Sequence, residues 1–592
     1  MEINNKAITK KTGQSFAMGA FIMAIGMVIV KIAGAAFKIP LAYILGEVGQ
    51  GYFGLAYSLY NPLYALATAG LPIAISRMVS KEMTNHRYRD VKEIHKISIP
   101  IFLTTGVLGT IFMLLGAGLC VNFTKTPGVL YSIIALAPTV LFSCLISIYK
   151  GYYEGLRNMI PTAVSEVVEA IGKIIFGLGF SAAAVECGMN EYYKYGTVFG
   201  KYCESEAVAH SATLPFASAG AVLGITLGAI SGFIYIFIKY KISGDGITYQ
   251  DIENSEPAHS KKIIVKSLLS IAIPIALGAI VMNLAGMIDT MLIQRRLSDI
   301  MKTAPQALLG VYEGLIPVNV VQEGKTHNFL AGCFAYMSTV TMLLPTITQG
   351  LAISALPNVT SSWIKGIKEN IKSNIETVLK MTSIIAFPAG MGMCVLSYPL
   401  MDLIYNTFGK STKAAGVSIS AQIMVIYAIA TIFVAISTPI CSMLQAVGRA
   451  DLPLKILTIG MILKIVFNYI LVGVPQINIQ GAGIGTLICY VFVCVSGIIM
   501  LKKYAGVNFN FGKIFFKPFI CSLACGIAAY VSQELLAIFM NSKIATLISI
   551  VIACFVYVAF LLLLRAVTAE DLGTMPKSKK IIKTLEKWHL IG

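Results

Sequence analysis

Arg157-Asn158-Met159-Ile160-Pro161, followed by an apolar stretch carrying Lys173-Ile174-Ile175-Phe176, returns almost half a chain later. The second copy reads Arg449-Ala450-Asp451-Leu452-Pro453, followed by Lys464-Ile465-Val466-Phe467. The offset is 292 at the arginines and prolines and 291 at the lysines, so a single one-residue slip relates the copies. Working outward, Gly220-Ala221-Val222-Leu223-Gly224 answers to Gly481-Ala482-Gly483-Ile484-Gly485, and Ala56-Tyr57 to Ala335-Tyr336. The chain is a duplication. The offset drops to 261 at the glycine motif, and the excess in the first copy is the polar stretch 186–215. The second copy carries its own polar insert at 297–328.

The duplicated unit is built for lipid. Of 592 residues, 56% are hydrophobic and 12% charged, against about 25% charged in soluble domains. Mean hydropathy is +0.78. Runs long enough to cross a hydrocarbon layer of about 30 Å as helices fall near 15–40, 54–77, 97–119, 128–149, 162–185, 216–238, 267–293, 328–356, 380–401, 417–445, 454–474, 481–501, 514–536 and 544–564. The expected class is an all-α polytopic membrane protein with fourteen transmembrane helices.

Loop charge orients them, because Lys and Arg concentrate on the cytoplasmic side. With Lys6, Lys10 and Lys11 inside, every second loop is basic: Arg87, Arg89 and Lys92 after the second span, Lys261 and Lys262 after the sixth, Lys365 and Lys368 after the eighth, Lys502 and Lys503 after the twelfth. Both termini are then cytoplasmic. Equivalent spans lie six apart, an even number, so the repeats are parallel and related by an axis along the membrane normal. The expected organisation is an N-lobe at 1–240, a cytoplasmic linker at 241–262, a C-lobe at 263–503, two appended helices at 504–567 and a basic tail at 568–592. The net charge of +18 reads as loops facing anionic lipid heads rather than as a nucleic-acid surface. The first apolar run is too long for a cleavable signal and holds Lys31 and Lys38, so it is read as a span. Cys187 and Cys203 share the first external insert, where a disulfide or two free thiols are equally open.

Ionisable residues inside spans mark function by default. Lys31 and Lys38 are seven apart, two turns on one face. Glu166, Glu169 and Lys173 share one face of the fifth span, with Glu169 and Lys173 at the i, i+4 spacing of an ion pair. In the second copy Lys464 has Gly460 one turn before it and Asn468 one turn after. Lys31, Lys38, Lys173, Lys464, Glu166, Glu169 and Asn468 are therefore candidates for a substrate-binding cavity. Snorkelling of Lys38 and a structural Glu-Lys pair are the plainer readings. Asp289 with Asn283 is a candidate coupling or neutralising site, for which sodium or a proton is the fitting ion. Arg157 and Arg449 are candidate gate residues, or else ordinary topology-setting loop charges. Enzyme motifs, a metal-ligand cluster and cofactor fingerprints are missing, so no enzyme and no cofactor is expected.

The runs Lys31-Ile-Ala-Gly-Ala-Ala-Phe-Lys38-Ile-Pro-Leu, Leu45-Gly46-Glu-Val-Gly49-Gln-Gly51-Tyr-Phe-Gly54, Ala69-Gly70-Leu71-Pro72-Ile-Ala-Ile-Ser76-Arg77 and Tyr149-Lys-Gly151-Tyr-Tyr-Glu154-Gly155 resemble one family. It is the polysaccharide-transport branch of the multidrug/oligosaccharidyl-lipid/polysaccharide exporter (MOP) superfamily, closest to the stage V sporulation protein B group and to MurJ-type lipid II flippases. That resemblance implies two six-helix lobes in a V, alternating access and a cationic cavity for the diphosphate of a polyprenyl-linked glycan. Lys31 and Lys38 match in charge the family's first-helix cations, although a lysine attracts phosphate as a point charge and not bidentately.

The expectation is a flippase at the bacterial plasma membrane, a monomer, moving a lipid-linked cell-wall precursor outward. Lipid II comes first among these precursors, spore cortex peptidoglycan is one setting, and cell-wall synthesis enzymes are candidate partners. Alternatives are an exporter of another lipid-linked oligosaccharide, a cation-coupled drug exporter, and more distantly a membrane glycosyltransferase or a scaffold.

Overall fold

The computed structural model describes residues 16–406, 414–449 and 451–566; the basic tail and the first lysines lie outside them. In chain order come α1 (Phe16–Ala65), α2 (Leu71–Thr84), α3 (Tyr88–Thr124), α4 (Leu130–Gly155), α5 (Ile160–Tyr195), the hairpin β1 (Thr197–Val198) and β2 (Lys201–Tyr202), α6 (Glu206–Ser243), α7 (Tyr249–Glu253) and α8 (Lys261–Thr303). Then follow α9 (Pro305–Val311), α10 (Val318–Gln322), α11 (Thr326–Thr341), α12 (Leu343–Ile364), α13 (Lys368–Val395), α14 (Ser397–Tyr405), α15 (Ala414–Ala446), α16 (Asp451–Val472), α17 (Gln480–Ala505), α18 (Lys517–Phe539) and α19 (Ser542–Leu563). Each of the fourteen expected stretches falls on one helix or on two consecutive ones. Twelve helical runs among the described residues are apolar and long enough to cross a bilayer, and one of them, Ile25–Thr84, holds both the first and second expected spans. The break between those two is Gly46, whose φ of 59° and ψ of −170° lie outside the helical region. Large apolar side chains such as Phe112, Leu115 and Leu119 of α3 stand exposed, as a lipid-facing surface requires. This is a multi-pass membrane protein.

The chain divides into two compact units, one ending at Arg295 and the other starting at Arg296. Most of α8, grouped with the second half on sequence, thus belongs to the first unit. Ile264, Leu268 and Ala272 are buried in one core with Leu71 and Ile75 of α2 and Tyr152 of α4. Contact is close at Gly70, where an added Cβ would lie 2.5 Å from the Ala272 carbonyl oxygen. At the other end of α8, Gln294 joins the Thr126 hydroxyl at 3.1 Å and donates to the Gly51 carbonyl.

The repeat reappears in the packing. In the first unit α3 packs on α4, and both α4 and α5 on α6; in the second, α13 packs on α15, and both α15 and α16 on α17. The turns that open the motif copies also correspond, with one change of register. Arg157 N–H donates to Glu154 O and Asn158 N–H to Tyr153 O, while Gly448 N–H donates to Gln445 O and Arg449 N–H to Leu444 O. Both are the paired bonds of a Schellman helix end, whose C′ residue is left-handed. That residue is Arg157 (φ 59°) in one copy and Gly448 (φ 79°) in the other. The offset is therefore 291 through turn and lysine alike, and Arg449 is the counterpart of Asn158, not of Arg157. The arginines at 292, like the prolines, stand one residue out of that register.

What seats α5 is a stripe of glycines on α6. Gly220, Gly224, Gly228 and Gly232 recur every four residues, the small-residue spacing by which membrane helices come together. A Cβ on Gly224 would stand 2.1 Å from Gly177, and one on Gly228 would stand 2.6 Å from the Glu169 carbonyl oxygen. With its backbone pressed on α6, α5 sends the side-chain ends of Glu166 and Glu169 toward α4 and that of Lys173 toward α1.

The polar insert of the first copy is mainly a prolongation of α5 and α6, joined by the β1–β2 hairpin. Glu191 holds the hairpin by accepting from Thr197 Oγ1 and from the backbone N–H groups of Phe199 and Gly200. Cys187 is exposed, Cys203 is buried, and both are free thiols. The linker after α6 is strapped to the basic ends of α3 and α4. Asp245 accepts from Lys92 and from Tyr152 Oη, Arg87 bridges Asp90 and Glu256, and Asp90 also meets His259 at 2.8 Å. Burial works to raise the Asp245 carboxyl, but the bonds from Lys92 and Tyr152 outweigh it and hold the group below the usual carboxylate range. A depressed carboxylate stabilises above its unfolded value, near 3.9, and that contribution is lost as pH falls through the folded value. Asp245→Asn should therefore open the linker to limited proteolysis severalfold faster at pH 7. The difference from the native chain should disappear once the medium is acid enough to protonate Asp245.

Candidate functional site

Beside the α5–α6 contact, a cleft of about 280 Å³ opens between α1, α4 and α5, lined by Gly34, Tyr57, Tyr64, Lys150, Glu166, Glu169 and Lys173 among others. A second space of about 150 Å³ shares Tyr64, Lys150, Glu166 and Glu169 and runs on past Ser143, Ser147 and Glu154. The two form one polar groove in the first unit. Gly34 keeps it open, since a Cβ there would meet nothing within 4 Å.

Lys173 is half-buried and its ammonium stands over two rings, 4.8 Å from the Phe37 centroid and 5.9 Å from that of Tyr57. The expected pair with Glu169 is not formed. The two carboxylates turn instead to Lys150 of α4, whose Nζ lies 3.3 Å from Glu166 Oε1 and 4.0 Å from Glu169 Oε2. Among the described residues Lys173 makes no ion pair within 4 Å. Attraction to aromatic faces stabilises a cation without neutralising it, so Lys173 offers its full charge to the groove. Lys38 is exposed on α1 and within electrostatic reach of both Lys173 and Lys31. Lys31 is exposed on the same helix.

Below Lys173 runs a ladder of rings on one face of α1. Phe53 and Tyr57 are stacked at 5.8 Å, Tyr57 and Tyr60 lie 5.7 Å apart, and Tyr60 and Tyr64 5.2 Å apart. Tyr60 is buried and shares a 3.3 Å hydrogen bond with Ser143. Tyr57 and Tyr64 line the groove, and aromatic rings are amphipathic surfaces on which the C–H faces of sugars can stack.

Each remaining candidate has its own surroundings. In the second unit Lys464 is half-buried on α16 and within electrostatic reach of Tyr490. Asn468 is buried against α17, where a Cβ on Gly485 would fall 1.9 Å from its Oδ1. Asp289 is buried on α8, and Asn283 donates to the Ala279 carbonyl of its own helix. Arg157 is exposed. Arg449 stacks on Tyr504 at 3.9 Å and donates twice to Asp451, which anchors it at the helix junction. Lys150, Tyr57 and Tyr64 escaped the sequence reading. Lys150 lies at the edge of its span, where a lysine reads as a snorkelling interface residue, and the tyrosines read as ordinary aromatic filling.

The chain matches the polysaccharide biosynthesis protein family over residues 16–184 and the MatE family over residues 326–470. The lipid II flippase MurJ of Bacillus subtilis is 24% identical, the match covering 88% of this chain and 89% of that one. Stage V sporulation protein B of the same organism is 22% identical over 96% of this chain and 99% of that one. Among solved structures, lipid II flippase MurJ in an inward closed conformation gives a TM-score of 0.61 at 16% identity, covering 92% of this chain and 98% of that one. An inward-facing multidrug resistance MATE transporter of the MOP superfamily gives 0.59 at 15% identity, covering 83% and 99%. The fold is that of the MOP exporters, as the sequence resemblance implied. Those of these proteins whose names state an activity are flippases or transporters, not enzymes.

Proposed function

For a membrane chain of the MOP exporter fold, with relatives in its polysaccharide-transport branch, we propose translocation of a polyprenyl-diphosphate-linked glycan, lipid II first among them, from the cytoplasmic to the outer leaflet. The observation that carries this reading is Lys173, a cation held on aromatic rings in a groove further lined by tyrosines, with Lys38 within electrostatic reach of it. A lipid-linked precursor is a diphosphate joined to sugars. The diphosphate is drawn to Lys173, Lys38 and Lys31, and the sugars stack on Tyr57 and Tyr64. The polyprenyl tail stays in the bilayer. Lys464 serves in the second unit, and the two units expose the groove to one leaflet and then the other, with both termini cytoplasmic. A sodium ion or proton at Asp289 is the fitting coupling device. The relation to a sporulation protein makes spore-wall synthesis the first setting to examine.

The test is native mass spectrometry of the full chain in detergent with undecaprenyl diphosphate, undecaprenyl monophosphate and a cationic dye. Diphosphate should bind best and the dye least. Gly34→Leu, whose Cβ meets nothing within 4 Å and whose longer side chain takes up groove volume, should leave the thermal midpoint in place and remove diphosphate binding. Equal retention of all three probes, or a Gly34→Leu variant that binds as the native chain does, contradicts the reading.

A further inference from the structure

Lys150 stands outside the cationic set, yet it decides what Glu169 does. Glu169 precedes Lys173 by four residues on α5, the order and spacing at which Glu and Lys pair most readily on a helix. In the structure that pair is open: the Glu169 carboxylate faces Lys150 and Lys173 lies on Phe37 and Tyr57. Three carboxylates, Glu154, Glu166 and Glu169, line the space that Lys150 occupies, and no second lysine or arginine lines it. Without Lys150 the nearest uncommitted cation for Glu169 is Lys173, one turn away. Glu166 could not follow, because seven residues of helix put it about 10 Å from Lys173 along the axis.

We propose that Lys150 is a positioning residue for the anion site: by holding Glu169 on α4, it keeps Lys173 unneutralised and open to the diphosphate of the substrate. The N···O distances of 3.3 and 4.0 Å are long beside the 2.7–2.9 Å of an optimised charged hydrogen bond, so the contact steers the carboxylates without locking them. The assignment rests on the reading of the groove as a diphosphate site. It adds a dependence that reading does not contain, on a residue that touches no substrate.

The experiment is a double-mutant cycle read as undecaprenyl diphosphate binding to the full chain. Lys150→Met should weaken binding roughly 10-fold, as expected when a site cation becomes paired. Glu169→Gln added to it should restore most of that loss although no cation has been returned, and Glu169→Gln alone should bind somewhat tighter than the native chain. Lys150→Arg, which keeps the positive charge, should hold binding near the native level. A purely structural role for Lys150 predicts no rescue by Glu169→Gln. The proposal is overturned if Lys150→Met binds as the native chain does, or if its loss persists in the double variant. If Lys150→Met does not give folded protein, Lys150→Gln carries the same contrast. A native chain that binds no diphosphate, or a Lys173→Ala variant that binds it undiminished, refutes the diphosphate reading itself, so the two failures are distinguishable.

Discussion

Lys173→Ala is expected to lower head-group translocation by roughly 10- to 100-fold with little change in folding. The magnitude follows from losing one charge-assisted contact to a diphosphate in a groove partly shielded from water, about 1.5–3 kcal/mol, at about 1.4 kcal/mol per factor of ten. Stability should hold because Lys173 makes no ion pair to break; its rings, Phe37 and Tyr57, pack in the core that also contains Phe53 and Leu41. Lys173→Arg should retain most activity, since the guanidinium keeps the charge, stacks on the same rings and adds a bidentate phosphate fork. Lys173→Glu should be worse than alanine, placing a carboxylate beside Glu169 where the anion must go. Initial rates in proteoliposomes, normalised to inserted protein, measure all three. An alanine variant that translocates at the native rate removes the site from α5.

The second large effect is expected from one methine and two methyls. Gly228→Val puts a Cβ 2.6 Å from the Glu169 carbonyl oxygen and 2.9 Å from the Lys173 nitrogen. Both are backbone atoms that no rotamer change can move aside. Overpacking a tight contact costs about 1–3 kcal/mol when side chains can adjust, and here the helix itself must retreat, so on the order of 3 kcal/mol or more is expected. The thermal midpoint should fall by roughly 2–3 °C or more, and translocation should fall with it, because α5 carries Glu169 and Lys173 on the displaced segment. Gly34→Ala is the control, its added methyl meeting open space. A Gly228→Val chain with native midpoint and activity contradicts the account of how α6 positions the groove.

Much of the architecture could be read before any coordinates, because lipid imposes long apolar runs and basic inner loops that leave a clear trace in composition. The motif around Lys173 and Lys464 likewise revealed the duplication. Its register was harder: the arginines at 157 and 449 invite alignment, yet a left-handed helix end accepts arginine in one copy and glycine in the other, and only the hydrogen bonds show that Gly448 matches Arg157. The groove was half legible. Glu166, Glu169 and Lys173 stand out as charges in apolar surroundings, whereas the partner of the glutamates lies on another helix, and helical spacing speaks only of neighbours on the same one. Spacing therefore favoured Lys173 for Glu169, and tertiary placement of α4 gave Glu169 to Lys150. Asn468, which shares the Lys464 face by spacing, is turned into the contact with Gly485 by the close approach of α16 and α17.

Carriage of a polyprenyl-linked glycan across the bilayer is measured by reconstituting the purified protein into liposomes with lipid II in the membrane and adding an impermeant probe that modifies only the outer leaflet. Protein-free liposomes should expose about half of the lipid II, whereas liposomes with the native chain should expose nearly all of it, and those with Lys173→Ala should return toward half. Exposure that stays at half with the native chain, for lipid II and for other polyprenyl-diphosphate-linked glycans alike, would contradict the account.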